Sequence, residues 1–382
     1  MAYVTVTGGQ TAIQEAEKYV KYMRIGQAET ILDLNAVQGQ LRLLIDKVMS
    51  EGGLYAPDEA ALALKQSEGD VMEAAFLLRA YRSTLPRTHV TSTIEPDDMR
   101  VIRRISSSFR ELPGGQMLGP TVDYTHRLLR FSLRKESTSD VQEFLEQYLP
   151  NIAPAHTVTS MPKVVELLRE QGMMEAKLAD VDEEPFDITR ERISYPAPRS
   201  ARMQMLARGE TGAMCALAYS SMRGYGIVHP TIGELRVGYV SMYVPHPFAP
   251  EDPDRALYIG EMLVTEVESI NNFKQSNEGK PVMVLGYGLT IGQNELKAIS
   301  MAILERSLDT VGTSPAQDEE FVLTHIDCVE SSGFVSHLKM PHYVTFQSEI
   351  DRISQSQAHY DSKDKTSSIA KDAVTEGAME HV

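Results

Sequence analysis

Apolar residues recur at helical spacing through much of the first half of the chain. Val37, Leu41, Leu44, Ile45 and Val48 line one face and stop at Gly52-Gly53, which predicts an amphipathic helix. Pro57 suits the first turn of the next helix, and Gly69 closes it. Asp70 then caps a helix whose apolar face is Val71, Ala74, Ala75, Leu78 and Tyr81. Ser139 with Gln142 reads as a capping box ahead of Val141, Phe144, Leu145 and Tyr148, and Pro150 ends that helix. Another helix is expected from about Pro162 to Gly172. A short strand, Tyr3 to Val6, precedes them all. Between Thr88 and Gly119 the period weakens, and LPGGQMLGP reads as loop; its glycines either let backbone approach a ligand or partner closely or only make a turn. Residues 1–180 thus form a mainly helical region, bounded by the acidic stretch LADVDEEPFD.

Beyond that boundary the pattern changes. Two helical stretches flank Gly209 to Gly212, and in the following segment Val240, Met242 and Val244 alternate with Ser241 and Tyr243, the period of a strand. VPHPFAPEDPD is a loop, and YIGEMLVTEVESI is read as a strand returning beside its predecessor. PVMVLGYGLTIGQNELKAISMAIL reads as strand, glycine turn and helix. Its glycines, at 286, 288 and 292, match neither the dinucleotide spacing nor a Walker loop. Gly288 and the helix N-terminus after it are candidates for holding a phosphate through free amides, with an ordinary tight connection as the alternative. Residues 181–350 are expected to form a mixed α/β domain with antiparallel strands, so the fold class is α+β. Residues 351–382 lack the apolar content to pack and are expected to be a disordered tail.

A composition of 42% hydrophobic and 24% charged residues is that of a globular protein, and no apolar run reaches the roughly 20 residues of a membrane span. MAYVTVTGGQTAIQ has no basic leader or apolar signal core, so export is not expected. Cys215 and Cys328 are the only cysteines, which fits a reducing cytoplasm rather than a disulfide framework. The formal net charge of −16 argues against nucleic-acid binding. A polyanionic substrate must then meet a local cluster. Arginines concentrate at positions 79, 82, 87, 100, 103, 104 and 110, and again at 199, 202 and 208. Because exposed charges are screened beyond about 8 Å, a pocket can be positive on an acidic protein, although solvated helix faces account for such residues equally well.

The densest candidate chemistry lies in SSGFVSHLKMPHYVTFQ. Val335 to Leu338 and Tyr343 to Phe346 read as strand, in which His337 and His342 would face opposite ways. Pro341 forces a bend between them, and a bent segment can turn both rings toward one point. Two converging imidazoles suit zinc or another divalent first-row metal, but two ligands are too few. His325, Asp327, Cys328 and Glu330 lie just upstream; a partner subunit or substrate oxygens are the other sources. The competing reading makes both histidines polar residues at a strand boundary.

ESSGFVSHLKMPHYVTFQSE, with VLGYGLTIGQNELKAISMAIL, HPTIGELRVGYV, LALKQSEGDVMEAAFLLRAYRSTLPR and PGGQMLGPTVDYTHRLL, closely resembles the I subunit of the bacterial carbon-phosphorus lyase core complex. The blocks keep one order over roughly residues 1–350. The resemblance implies that His337 and His342 bind a metal at the contact with the J subunit. It also implies that, with G, H and L partners, the chain displaces the purine of ATP or GTP by an alkylphosphonate, giving a ribose 1-phosphonate 5-triphosphate, and acts as a nucleosidase when alone. Such a substitution passes through an oxocarbenium-like state and calls for a proton donor to the leaving base. His229 and Glu234 in HPTIGELR are the candidates for proton transfer or ring stabilisation, and Arg223 for holding phosphate. Against these roles, Glu234 and Arg236 share a strand face and can simply pair, and His229 can merely end a loop. The alternative for the whole chain is a non-catalytic scaffold supplying two histidine ligands to a metal shared with the J subunit.

Overall fold

The computed structural model describes residues 8–151, 161–177, 184–223, 229–276 and 278–377. They divide into two compact units, one within residues 28–331 and the other made by the terminal segments up to 27 and from 332 onward. This is a different division from one near residue 180. The strand expected at Tyr3 to Val6 lies outside the described residues.

The terminal unit opens with α1 (Gly9–Ile25). In the larger unit, α2 (Leu34–Gln40), α3 (Arg42–Gly52), α4 (Pro57–Gln66) and α5 (Val71–Thr84) bury Val37, Ile45, Val48, Leu64 and Leu78 in one core. The single helix expected up to Gly52 is two, because Leu41 leaves the helical region at φ −113°, ψ 34°. Asp70 caps α5 as its sequence predicts, accepting from the amides of Met72 and Glu73.

β1 (Arg100–Ile105) falls in the stretch where no period was legible. Arg103 and Arg104, on opposite faces of the strand, are both buried, so the strand carries no apolar alternation. α6 (Thr138–Tyr148) follows, with Ser137 and Asp140 rather than Ser139 and Gln142 forming its capping box. α7 (Val164–Glu170), α8 (Arg199–Arg208) and α9 (Thr211–Arg223) lead to β2 (Thr231–Val244), β3 (Leu257–Gln275) and β4 (Pro281–Ile291). The four strands form one antiparallel sheet in the order β1-β2-β3-β4, and the fold is α+β. Beyond β1, Arg104 exchanges two backbone hydrogen bonds of 2.8 Å with Met117; beyond β4, Met283 bonds Met173 and Glu175.

α10 (Glu295–Leu308) packs Ala298 and Ala302 on Leu235, Val237 and Val267 of the sheet. Gly288 lies in the body of β4, not in the turn, which corrects the expectation that it meets a phosphate. A Cβ there would overlap the carbonyl oxygen of Ala298, so the glycine serves close helix–sheet approach. The turn itself uses Gly292 at φ +74°. Its next two amides are taken by Asp46 Oδ2 and Thr265 Oγ1, each at 3.0 Å.

α11 (Glu319–His325), α12 (Cys328–His337) and α13 (Tyr343–Gly377) complete the chain. The strands expected around His337 and His342 are helical. So are residues 351–377 of the expected disordered tail: no Gly or Pro interrupts residues 343–376, and Gln, Glu, Lys, Arg and Ala favour helix. Among the described residues no helix is long and apolar enough to cross a membrane.

Candidate functional site

His337 is the last residue of α12, and His342 immediately precedes α13. Between them Met340 N returns to His337 O at 2.9 Å, and Pro341 cannot extend the helix. The bend therefore joins two helices instead of two strands, yet it brings the rings together: their centroids are 5.4 Å apart, inclined at 59°. Both residues are exposed. His342 Nδ1 lies 2.6 Å from Met340 O, and His337 Nδ1 bonds Phe334 O. A carbonyl only accepts, so each Nδ1 donates and each Nε2 keeps a free lone pair, the arrangement found when a backbone oxygen orients a ligating histidine.

Of the upstream candidates, Asp327 and Cys328 are committed elsewhere. Asp327 receives Arg79 Nη1 at 2.8 Å and also accepts from the amides of Val329 and Glu330 at the start of α12. The Cys328 thiol is buried, and burial, with Glu51 and Asp327 nearby, pushes it up to about 12, far from a thiolate. His325 Nδ1 bonds Phe321 O at 2.7 Å. Among the described residues no group of three or more potential ligands forms.

Glu234 has a different setting. On the sheet face opposite α10, the register places Arg104 beside Arg236 and Glu234 directly across from Glu268. Arg104 Nε donates to Glu234 Oε1 at 2.6 Å, and the amide of Val164 donates to Oε2 at 3.0 Å. Both oxygens are engaged and the residue is 2% exposed, so Glu234 is a strut and not an accessible proton donor. The remaining Arg104 nitrogens hold the carbonyls of Pro113, Gly115 and Pro162. The glycine loop PGGQ thus closes over a guanidinium of its own chain.

The same face holds a second cluster that the sequence reading passed over. Arg236 Nε donates to Glu266 Oε2 at 2.9 Å, Lys163 reaches Glu266 at 2.9 Å and Glu268 at 3.4 Å, and the Tyr287 hydroxyl donates to Glu266 at 3.0 Å. Burial raises the Glu268 carboxyl to about 7; Lys163 opposes this and Glu266 adds to it. Glu266 stays below the ordinary carboxylate range because Arg236 and Lys163 outweigh its burial. The available signal was the alternation in TEVES, which sets Glu266 and Glu268 on one face of an otherwise apolar strand.

Arg223 ends α9 and His229 precedes β2, both exposed; residues 224–228 between them lie outside the described residues.

The fold is thus α+β, with an exposed pair of neighbouring histidines between its last two helices. Residues 2–360 match the family model described as bacterial phosphonate metabolism protein (PhnI). The chain is 50% identical over 364 residues to HtxH of Stutzerimonas stutzeri, named as a candidate C-P lyase subunit protein; the match covers 94% of this chain and 96% of that one. It is 44% identical over 367 residues to the alpha-D-ribose 1-methylphosphonate 5-triphosphate synthase subunit PhnI of Escherichia coli K12, covering 94% and 99%. The subunit of the same name from Rhizobium meliloti is 41% identical, covering 94% and 96%. The chain belongs to the PhnI family of bacterial phosphonate metabolism proteins.

Proposed function

We propose that this chain is the I-type subunit of a carbon-phosphorus lyase system, acting in the cytoplasm with G, H, J and L subunits to form a ribose 1-alkylphosphonate 5-triphosphate. The observation that carries the reading is the near end-to-end identity with two synthase subunits. In the reaction a phosphonate oxygen bonds to C1′ of ATP or GTP as the bond from C1′ to the base nitrogen breaks, and the purine leaves with a proton. Without the phosphonate, water takes its place and the chain is a nucleosidase. Of the two candidates for that proton, His229 is the exposed one, and Arg223, also exposed, would hold phosphate.

His337 and His342 would offer their Nε2 atoms to zinc or another divalent ion, and a partner subunit would supply the other ligands. The orientation of both rings by backbone carbonyls fits that role. When bound, the ion supplies positive charge at the seam between subunits. The pair, as half a ligand shell, also supports the scaffold reading, in which base displacement happens elsewhere.

The test is to co-express the chain with its partners, add ATP and methylphosphonate, and follow adenine by chromatography and the new phosphonate ester by 31P NMR. Formation of both products by the complex, and of adenine alone by the isolated chain, is expected. Adenine release that persists unchanged when this chain is omitted would overturn the enzymatic reading and leave the scaffold.

A further inference from the structure

The arginine run at 79, 82 and 87 is absorbed by neither the metal pair nor the sheet-face network. It leads to a hollow of about 380 Å³ after the end of α5, lined by Arg87, Thr88, His89, Arg190 and His246 and walled by prolines of the 245–250 loop. No Asp or Glu is among its lining residues, on a chain with 53 acidic and 37 basic side chains. We propose that this hollow binds a phosphate-class oxyanion.

Four observations support the assignment. Arg87 is held in place from behind, donating to Asp187 Oδ2 at 2.6 Å and Thr189 Oγ1 at 2.9 Å. Arg190 lies 3.7 Å from the same carboxylate through Nε, and its terminal nitrogens have no partner among the described residues. His246 Nδ1 accepts from the Phe248 amide at 3.2 Å, so the ring proton sits on Nε2 and is free to donate. Behind the hollow the cations crowd: burial, then the charges of Arg79 and Arg87, push the Arg82 guanidinium below its ordinary value. Burial and Arg79 do the same to Arg208. Asp187 and Asp327 are the carboxylates ion-paired with these guanidiniums and Glu330 lies near Arg208, so cations outnumber anions locally although the chain is acidic.

The terminal nitrogens of Arg190, the imidazole N–H of His246 and the Thr88 hydroxyl match the tetrahedral oxygens of a phosphoryl or phosphonyl group, with Arg87 adding its charge. The volume is that of a small-ligand site. A free phosphonate and the triphosphate tail of a nucleotide share this chemistry. The choice of these two ligands rests on the proposed reaction, whose own failure adenine release would report separately.

The test is calorimetric titration of the full-length chain with methylphosphonate and, separately, with tripolyphosphate. Binding of at least one probe is expected, weakened tenfold or more in the Arg190→Ala, His246→Gln double variant, whose melting temperature should match the parent. Lys280→Ala, on an exposed hairpin away from the hollow, should bind as the parent does. Heat from methylphosphonate alone identifies a phosphonate site, and heat from tripolyphosphate identifies a site for the nucleotide tail. Absence of heat with both probes, undiminished binding by the double variant, or an equal loss in Lys280→Ala would overturn the assignment.

Discussion

Arg104 and Glu234 form an ion pair at 2.6 Å between β1 and β2, with 0% and 2% of their side chains exposed. Removing one partner strands the other charge in a buried site, which costs about 3–5 kcal/mol. Glu234→Ala should therefore lower the melting temperature sharply. Any loss of adenine release should follow the loss of folded protein. A variant that melts like the parent but releases no adenine would restore Glu234 to the chemistry.

Glu268 makes stability depend on pH. Its carboxyl titrates near 7 in the folded chain against 4.5 when unconstrained, so the folded state holds the extra proton between those values. Stability from this group is therefore highest below about pH 4.5 and falls as the pH rises through 7. Glu268→Gln removes the charge and keeps the shape. It should raise the melting temperature at pH 8 by a few degrees, the scale of about 1 kcal/mol in a chain of this size. The gain should fade toward pH 5. A lower melting temperature for the variant at pH 8 would show instead that the pairing with Lys163 dominates.

His337 and His342 carry no packing load, since both are exposed. His337→Ala should leave the melting temperature of the isolated chain within about 0.5 kcal/mol of the parent. Metal content of the assembled complex, read by mass spectrometry, should fall at least tenfold. Full retention of metal would remove the pair from the ligand set.

Gly288→Ala tests the approach of β4 to α10. The added methyl meets backbone of Ala298, which cannot rotate away, so the loss should be about 3 kcal/mol or more, at the upper end of overpacking costs. Chemical denaturation would measure it. An unchanged midpoint would mean that the strand and helix can separate.

Much of this architecture can be read from sequence where burial is apolar. The α5 cap at Asp70, the alternation in β2 and the strand, turn and helix from Pro281 to Leu308 all follow local rules. β1 escapes them because Arg103 and Arg104, on opposite faces, are both buried, and their partners Glu295 and Glu234 lie more than 100 residues away, outside any local window. The histidine bend is legible for its proline but not for its helices, since Val335 and the run YVTF are strand-prone residues in helical context. Gly288 was misplaced for a related reason: a glycine demanded by a neighbouring helix looks, in one dimension, like a glycine demanded by a turn.

The backbone bonds from Arg104 to Met117, and from Met283 to Met173 and Glu175, have a consequence for assembly. Along those stretches the outer strands are already occupied, so a second chain cannot join there by lengthening the ladder. At those two points any contact with another chain has to be made by side chains, each matched individually, so mismatched company is easier to refuse there.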